Sequence, residues 1–275
     1  MGNAFTGVAD DASSMYYNPA GLSQIQGTVF GGMYSYMMFD RQHYYGSLVY
    51  GSKRFGTIGV MGQGFAVTGI EQRNMLGYKT GTFNDYENAF SLGYALRVFP
   101  AIGIGGSVKY INHVLSHYSA HGYAFDAGIH TTIPIHFLTI ERIRIGIAAK
   151  NLAGIIRWNT GSGNMDHIPM TGHIGAAIDM RLGFLKIIYA GDMMLNSTHQ
   201  IQVENIQFSG GTELWLYDVL GIRGGIKNIE INTIGINSIN FGCSLRVSPL
   251  VVEYAYNTDV LSITGMHKFG FQFRF

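Results

Sequence analysis

Residues 265–275 read GMHKFGFQFRF. Phe269, Phe271, Phe273 and Phe275 alternate strictly with Lys268, Gly270, Gln272 and Arg274. Period two places the phenylalanines on one face of a strand and the polar residues on the other. Four phenylalanines in a row need an apolar medium, whereas lysine, glutamine and arginine need water. Such a strand divides two solvents.

The pattern recurs upstream. Ile143, Ile145, Ile147 and Ala149 alternate with Arg144, Gly146, Ala148 and Lys150. Tyr123, Phe125, Ala127 and Ile129 alternate with Ala124, Asp126, Gly128 and His130. Ile239, Phe241, Cys243 and Leu245 alternate with Asn240, Gly242, Ser244 and Arg246. One face is bulky and apolar; the other is glycine, small residues and an occasional charge. A soluble sandwich carries many charges on its outer faces. Charged residues are only 13% of this chain, against about 25% in ordinary soluble proteins. No window of 18 consecutive apolar residues offers a transmembrane helix. What fits is an all-β fold, a 14-stranded antiparallel transmembrane β-barrel with lipid outside and a narrow lumen of small side chains inside. A soluble β-protein with a large core is the competing fold.

Fourteen strands are expected, centred near Tyr34, Leu48, Gly59, Leu92, Gly106, Ala127, Ile147, Gly175, Tyr189, Gly210, Arg223, Gly242, Tyr254 and Gln272. That leaves about 20 residues for each strand and its connection, enough for a tilted spanning strand of about 9–11. Segments 51–54, 97–101, 180–185, 216–219 and 247–249 read as short turns. Segments 70–87, 112–122, 153–169, 194–205, 228–238 and 257–264 read as longer outer loops. Segment 131–143 falls on the short side but is long; it extends its strands or forms an elbow. Tyr50, Phe55, Phe99, Phe184, Trp215 and Tyr217 lie near strand ends, as an interfacial girdle or as ordinary strand aromatics. The expected organisation is one domain over 1–275, with a plug over 1–27 and the barrel over 28–275. No basic start and apolar run mark a signal peptide in MGNAFTG. One cysteine, Cys243, excludes an internal disulfide framework.

Residues 10–22, DDASSMYYNPAGL, do not fit the alternation. Asp11 can N-cap a helix starting at Ala12, with Asp10 adding favourable charge. Asn18 precedes proline and leaves the α-region, ending the helix. A helix of one or two turns is unstable alone, so Phe5, Met15, Tyr16 and Leu22 must pack on something. A glycine-lined lumen can accept them; a cap outside the barrel is the other possibility.

Lumen-facing charges on this register are Arg97, Lys109, Asp126, Arg144, Lys150, Asp179, Glu213, Arg223, Arg246 and Glu253. Charges withdrawn from water need partners, so bracing of the plug is expected; a polar or carboxylate pathway would use the same arginines. His113, His117 and His121 stand four apart, a weak zinc or copper motif that fits a solvated outer loop better. No cofactor is expected. No nucleophile motif, P-loop or Gly-x-Gly-x-x-Gly stands out, so an enzyme is not expected. The net charge of +1 predicts no nucleic-acid footprint.

Ala4, Thr6, Val8, Ala9, Asp10, Asp11 and Ala12, followed by Tyr17, Asn18, Pro19, Ala20 and Gly21, resemble the N-terminal signature of the FadL/PorV superfamily of outer-membrane proteins. The detailed match covers about the first 22 residues, and the terminal phenylalanine looks like a barrel-assembly signal. The resemblance implies a fourteen-strand barrel in the bacterial outer membrane, surrounded by its lipid, with the N-terminal segment folded into the lumen. On the FadL branch it implies binding or passage of small hydrophobic molecules. Such a ligand would lie near Phe5, Asp10, Asp11, Met15, Tyr16, Asn18, Pro19 and Leu22. On the PorV branch it implies a barrel that anchors a partner protein of a secretion or cell-surface assembly.

Overall fold

A computed structural model describes residues 1–38, 40–160, 165–198, 202–230, 235–259 and 262–275. The strands are β1 (Gly27–Tyr36), β2 (Arg41–Ser52), β3 (Gly56–Arg73), β4 (Lys79–Phe99), β5 (Ile102–Leu115), β6 (Tyr118–Phe137), β7 (Ile140–Trp158), β8 (Met165–His167), β9 (Met170–Leu182), β10 (Leu185–Thr198), β11 (Gln202–Leu216), β12 (Leu220–Glu230), β13 (Gly235–Val247), β14 (Leu250–Asp259) and β15 (Ser262–Arg274). β8 and β9 lie on the same edge of β7. They form one stave, interrupted where Pro169 has no N–H to give the ladder. The wall therefore has fourteen staves, all antiparallel, and every expected strand centre falls within one.

The sheet closes on itself. β15 pairs with β1 from Val29↔Arg274 to Tyr36↔His267, so no edge is left for lipid to meet unpaired backbone. Side-chain burial is inverted relative to a soluble protein. Phe30, Leu48, Leu92, Phe125, Ile147, Tyr189, Phe241 and Phe269 face outward and are exposed. In water such a belt would cost roughly 25 cal/mol per Å²; against hydrocarbon it costs nothing. A closed barrel with an apolar belt is a membrane-spanning structure, and the bacterial outer membrane is where barrels of this kind reside.

The connections differ from expectation. The turns at one end are short as foreseen, and Leu138–Thr139 joins β6 to β7 directly, so 131–143 extends those strands. The other end is where the correction lies. Most of 70–87, 112–122 and 153–169 is strand, and β3 to β7 run 14 to 21 residues. The longer segments are hairpins standing above the belt rather than irregular loops, because their backbone hydrogen bonds continue to pair. Residues 161–164, 199–201, 231–234 and 260–261, inside four of the expected loops, lie outside the described residues.

One girdle assignment is overturned. Tyr50, Phe55, Phe99, Phe184 and Tyr217 are exposed at the short-turn end, but Trp215 is buried on the lumen side. Its Nε1 donates to Glu213, and the Arg246 guanidinium lies 4.1 Å from its ring centroid. Trp215 shares the inward parity of Glu213, which overrides its position near a strand end.

Candidate functional site

The N-terminal segment occupies the lumen. Its helix is shorter than the sequence reading expected: α1 covers Ser14–Tyr17, and a 3-10 helix follows over Pro19–Gln24. Asp11 does not cap a helix at Ala12. Its carboxylate accepts from Ser13 N at 2.7 Å and Ser13 Oγ at 2.5 Å. This is an Asx turn, a local bond that competes with helix. Asn18 is extended, as a residue before proline must be (φ −153°, ψ 106°). Its Oδ1 accepts from Ala20 N and so caps the 3-10 helix, while its Nδ2 donates to Thr6 O and Ile129 O. The Asn-Pro pair therefore turns the plug and stitches it to β6 at once.

The seat is glycine. A Cβ on Gly105 would lie 2.5 Å from Pro19 O, and one on Gly59 would lie 2.7 Å from Met15 Sδ. A Cβ on Gly146 would collide with Thr6 O, and one on Gly128 with Asn18 Oδ1. Around the rest of the ring, Gly31 meets Ala12, Gly51 meets Ile25, and Gly211 and Gly225 meet Met1. Met15 and Leu22 are fully buried with Val29, Val49 and Met61. Phe5 packs beside Val8, Ala177 and Ile188, with its ring 5.1 Å from that of Tyr17.

Charge fixes the plug at one point. Arg144, with no exposed surface, donates to Asp10 at 2.9 Å, to Asp179 at 2.6 Å and to Val8 O at 3.2 Å. Asp179 also meets Arg142 at 2.7 Å. On the next stave, β10, Asp192 accepts from the backbone N–H groups of Phe5 and Thr6. His130 and Gln24 meet the carbonyls of Gly7, Val8 and Ala9. These last three side chains were not singled out in the sequence. For His130 and Asp192 the inward parity was the available signal.

The remaining lumen charges form separate groups. Lys109 pairs with Asp126 at 2.8 Å and donates to Asn151 at 2.5 Å. Arg223 bridges Glu213 and Glu253 at 3.2 and 2.8 Å. Arg97 and Arg246 lie exposed at the short-turn rim, where Arg97 donates to Ser23 O at 3.3 Å.

Above the plug is a cavity of about 320 Å³ lined by Tyr16, Tyr17, Met61, Lys109, Lys150 and His173, among others. The lining is mostly polar, so the continuous apolar lumen beside the plug that a hydrocarbon carrier calls for is not what lies here. Lys150 Nζ sits 3.9 Å from the Tyr16 ring centroid, a cation–π contact. A register shift in β7, with Asn151 and Ala153 at positive φ, turns Asn151 toward this chamber.

The three histidines do not converge. β5 ends at Leu115 and β6 begins at Tyr118, so His117 lies in the turn. His113 faces Asp85 on the lumen side, and His121 is exposed on the outer face beside the Tyr110 hydroxyl. Equal spacing in sequence fails because a hairpin reverses the chain between them.

Burial pushes the Asp11 carboxyl up to about 6, and the neighbouring Asp10 charge adds to it. Asp10 moves the other way: burial raises it, but Arg144 outweighs that and holds it below the ordinary value. The docked plug thus holds the Asp11 proton more tightly than a free plug does. Asp11's own contribution therefore weakens docking as pH rises from 3.8 to about 6 and is level above that. In planar bilayers the ratio of spontaneous opening frequency at about pH 7.5 to that at about pH 5 should therefore be lower in Asp11→Asn than in the wild type. The same ratio in the two proteins would refute this account.

The fold is that of FadL-type outer-membrane channels. The chain superposes on the CymD monoaromatic hydrocarbon channel with a TM-score of 0.57 at 12% identity, covering 100% of this chain and 97% of that one. A Pseudomonas aeruginosa FadL homologue gives 0.57 at 11%, covering 100% and 97%. The Pseudomonas putida toluene transporter TodX gives 0.55 at 10%, covering 99% and 96%. No protein-family model and no curated protein sequence matches the chain.

Proposed function

We propose that this barrel is a plugged outer-membrane channel that binds and passes small, largely apolar molecules carrying a polar group. The observation behind the reading is the chamber on top of the plug. Its aromatic and methionine side chains suit an apolar body, and Lys150, which has no carboxylate partner among the described residues, suits a polar or anionic end. The structural neighbours described as hydrocarbon channels support the apolar body of the cargo only, and the polar lining is what adds the polar group. In this reading Tyr16 contacts the ligand, Asp10 and Arg144 latch the plug, and the plug must shift for cargo to pass.

The test is native mass spectrometry of the detergent-extracted barrel. A co-purified small amphipathic compound is expected, lost on Lys150→Met. A stoichiometric partner protein with no small molecule would overturn the channel reading. It would favour an anchoring role instead, for which the observation is the β3–β4 hairpin. That hairpin stands above the wall with Met75, Leu76 and Tyr78 exposed at and beside its tip.

A further inference from the structure

Lumen carboxylates in this barrel are met by arginine, lysine or backbone N–H groups: Asp10, Asp126, Asp179, Asp192, Glu213 and Glu253 all have such partners. Asp85 and Glu87 differ. They stand two apart on the inner face of β4, near its outer end, opposite Leu115 and His113. Among the described residues their salt-bridge partner is His113 alone. Its Nε2 lies 2.7 Å from Asp85 Oδ1 and 3.7 Å from Glu87 Oε1. One ligand atom from each of the three falls within 4.8 Å of the others.

We propose that Asp85, Glu87 and His113 bind a divalent cation of the zinc, cobalt and copper class at the outer mouth of the lumen. The donor set selects that class. Calcium and magnesium take oxygen ligands only, whereas zinc accepts a mixed imidazole and carboxylate set. Zinc–ligand bonds of about 2.0–2.2 Å place tetrahedral ligands about 3.3–3.5 Å apart. The two separations, 2.7 and 3.7 Å, lie on either side of that value, so the Asp85 contact must lengthen by about 0.7 Å and the Glu87 contact shorten by about 0.3 Å to close the site. Neither carboxylate has a lysine or arginine within ion-pair distance among the described residues, so a cation bound there meets no competing side-chain cation other than His113 itself. The fourth position faces the lumen and is left for water or for a group on passing cargo. Trp158 packs on the imidazole with ring centroids 4.9 Å apart, holding its orientation, and its own Nε1 donates to Asp166 at 2.9 Å.

Trp158 is also a reporter, since the chain has two tryptophans and the other, Trp215, lies at the opposite end of the lumen. Cobalt titrated into metal-stripped, detergent-solubilised Trp215→Phe barrel should quench Trp158 saturably at one equivalent, and zinc should reverse the quench. His113→Asn should weaken zinc binding at least about tenfold, and so should Glu87→Gln on the half-open side. His117→Asn and His121→Asn should leave it unchanged. Calorimetry of the wild-type protein with zinc gives the same affinity without the Trp215 change. A quench that never saturates, binding that survives His113→Asn, or equal loss on His117→Asn would overturn the site.

Discussion

Arg144→Met should unlatch the plug while leaving the wall intact. Removing one partner of a buried ion pair costs roughly 3–5 kcal/mol, because the other charge stays in place without compensation. Here that loss is unequally shared. Asp179 keeps Arg142 at 2.7 Å, so the wall retains an ion pair. Asp10 and the Val8 carbonyl lose the contact that ties residues 8–10 to β7. The expected result is a barrel that still migrates as a folded, heat-modifiable species. Its planar-bilayer conductance should be high and steady, and added protease should cleave it within residues 1–24. Arg144→Lys should fall between, since a lysine cannot reach both carboxylates in the forked geometry of a guanidinium. Wild-type leak and full protease resistance in Arg144→Met would mean that the glycine seat alone holds the plug.

Gly146→Leu should produce the same open state with no change of charge. The new Cβ meets Thr6 O directly and comes within 2.9 Å of Asn18 Nδ2. Thr6 cannot retreat without drawing Phe5 and Thr6 N–H away from Asp192. Gly224→Leu is the control on the lipid face, where a Cβ meets nothing within 4 Å, so its conductance should stay at the wild-type level. In the double variant with Arg144→Met, the two effects should not add, because an evicted plug cannot be evicted again. Additive leak would place the two residues on separate barriers.

The wall was legible because its rule is local. Ile143 to Lys150 or Phe269 to Phe275 declare two faces residue by residue, and the structure keeps that parity. The plug was legible only in part. Asn18-Pro19 gave the break in the helix, since pre-proline sterics act within two residues. The Asx turn at Asp11 replaced the expected cap because Ser13 was a nearer partner than the first helical N–H groups. Arg144 was readable as an inward charge, but its partner Asp10 lies 134 positions away, and no periodicity carries that pairing. The histidine triple failed for the converse reason. Its spacing was real, but the reversal at Ser116–His117 sent His113 and His121 to opposite faces, and the carboxylates beside His113 came from another strand.

The glycine seat bears on how such a protein can be rebuilt. The outline of the plug is written twice, once in residues 1–25 and once as missing side chains on the surrounding strands. Neither copy is a free-standing module. A foreign N-terminal segment grafted onto this wall would meet vacancies shaped for Thr6, Met15 and Pro19. This segment grafted into another barrel would meet methyl groups where it needs none. Exchange of gates between barrels of this architecture therefore requires moving the wall glycines along with the gate, as one unit of inheritance or design.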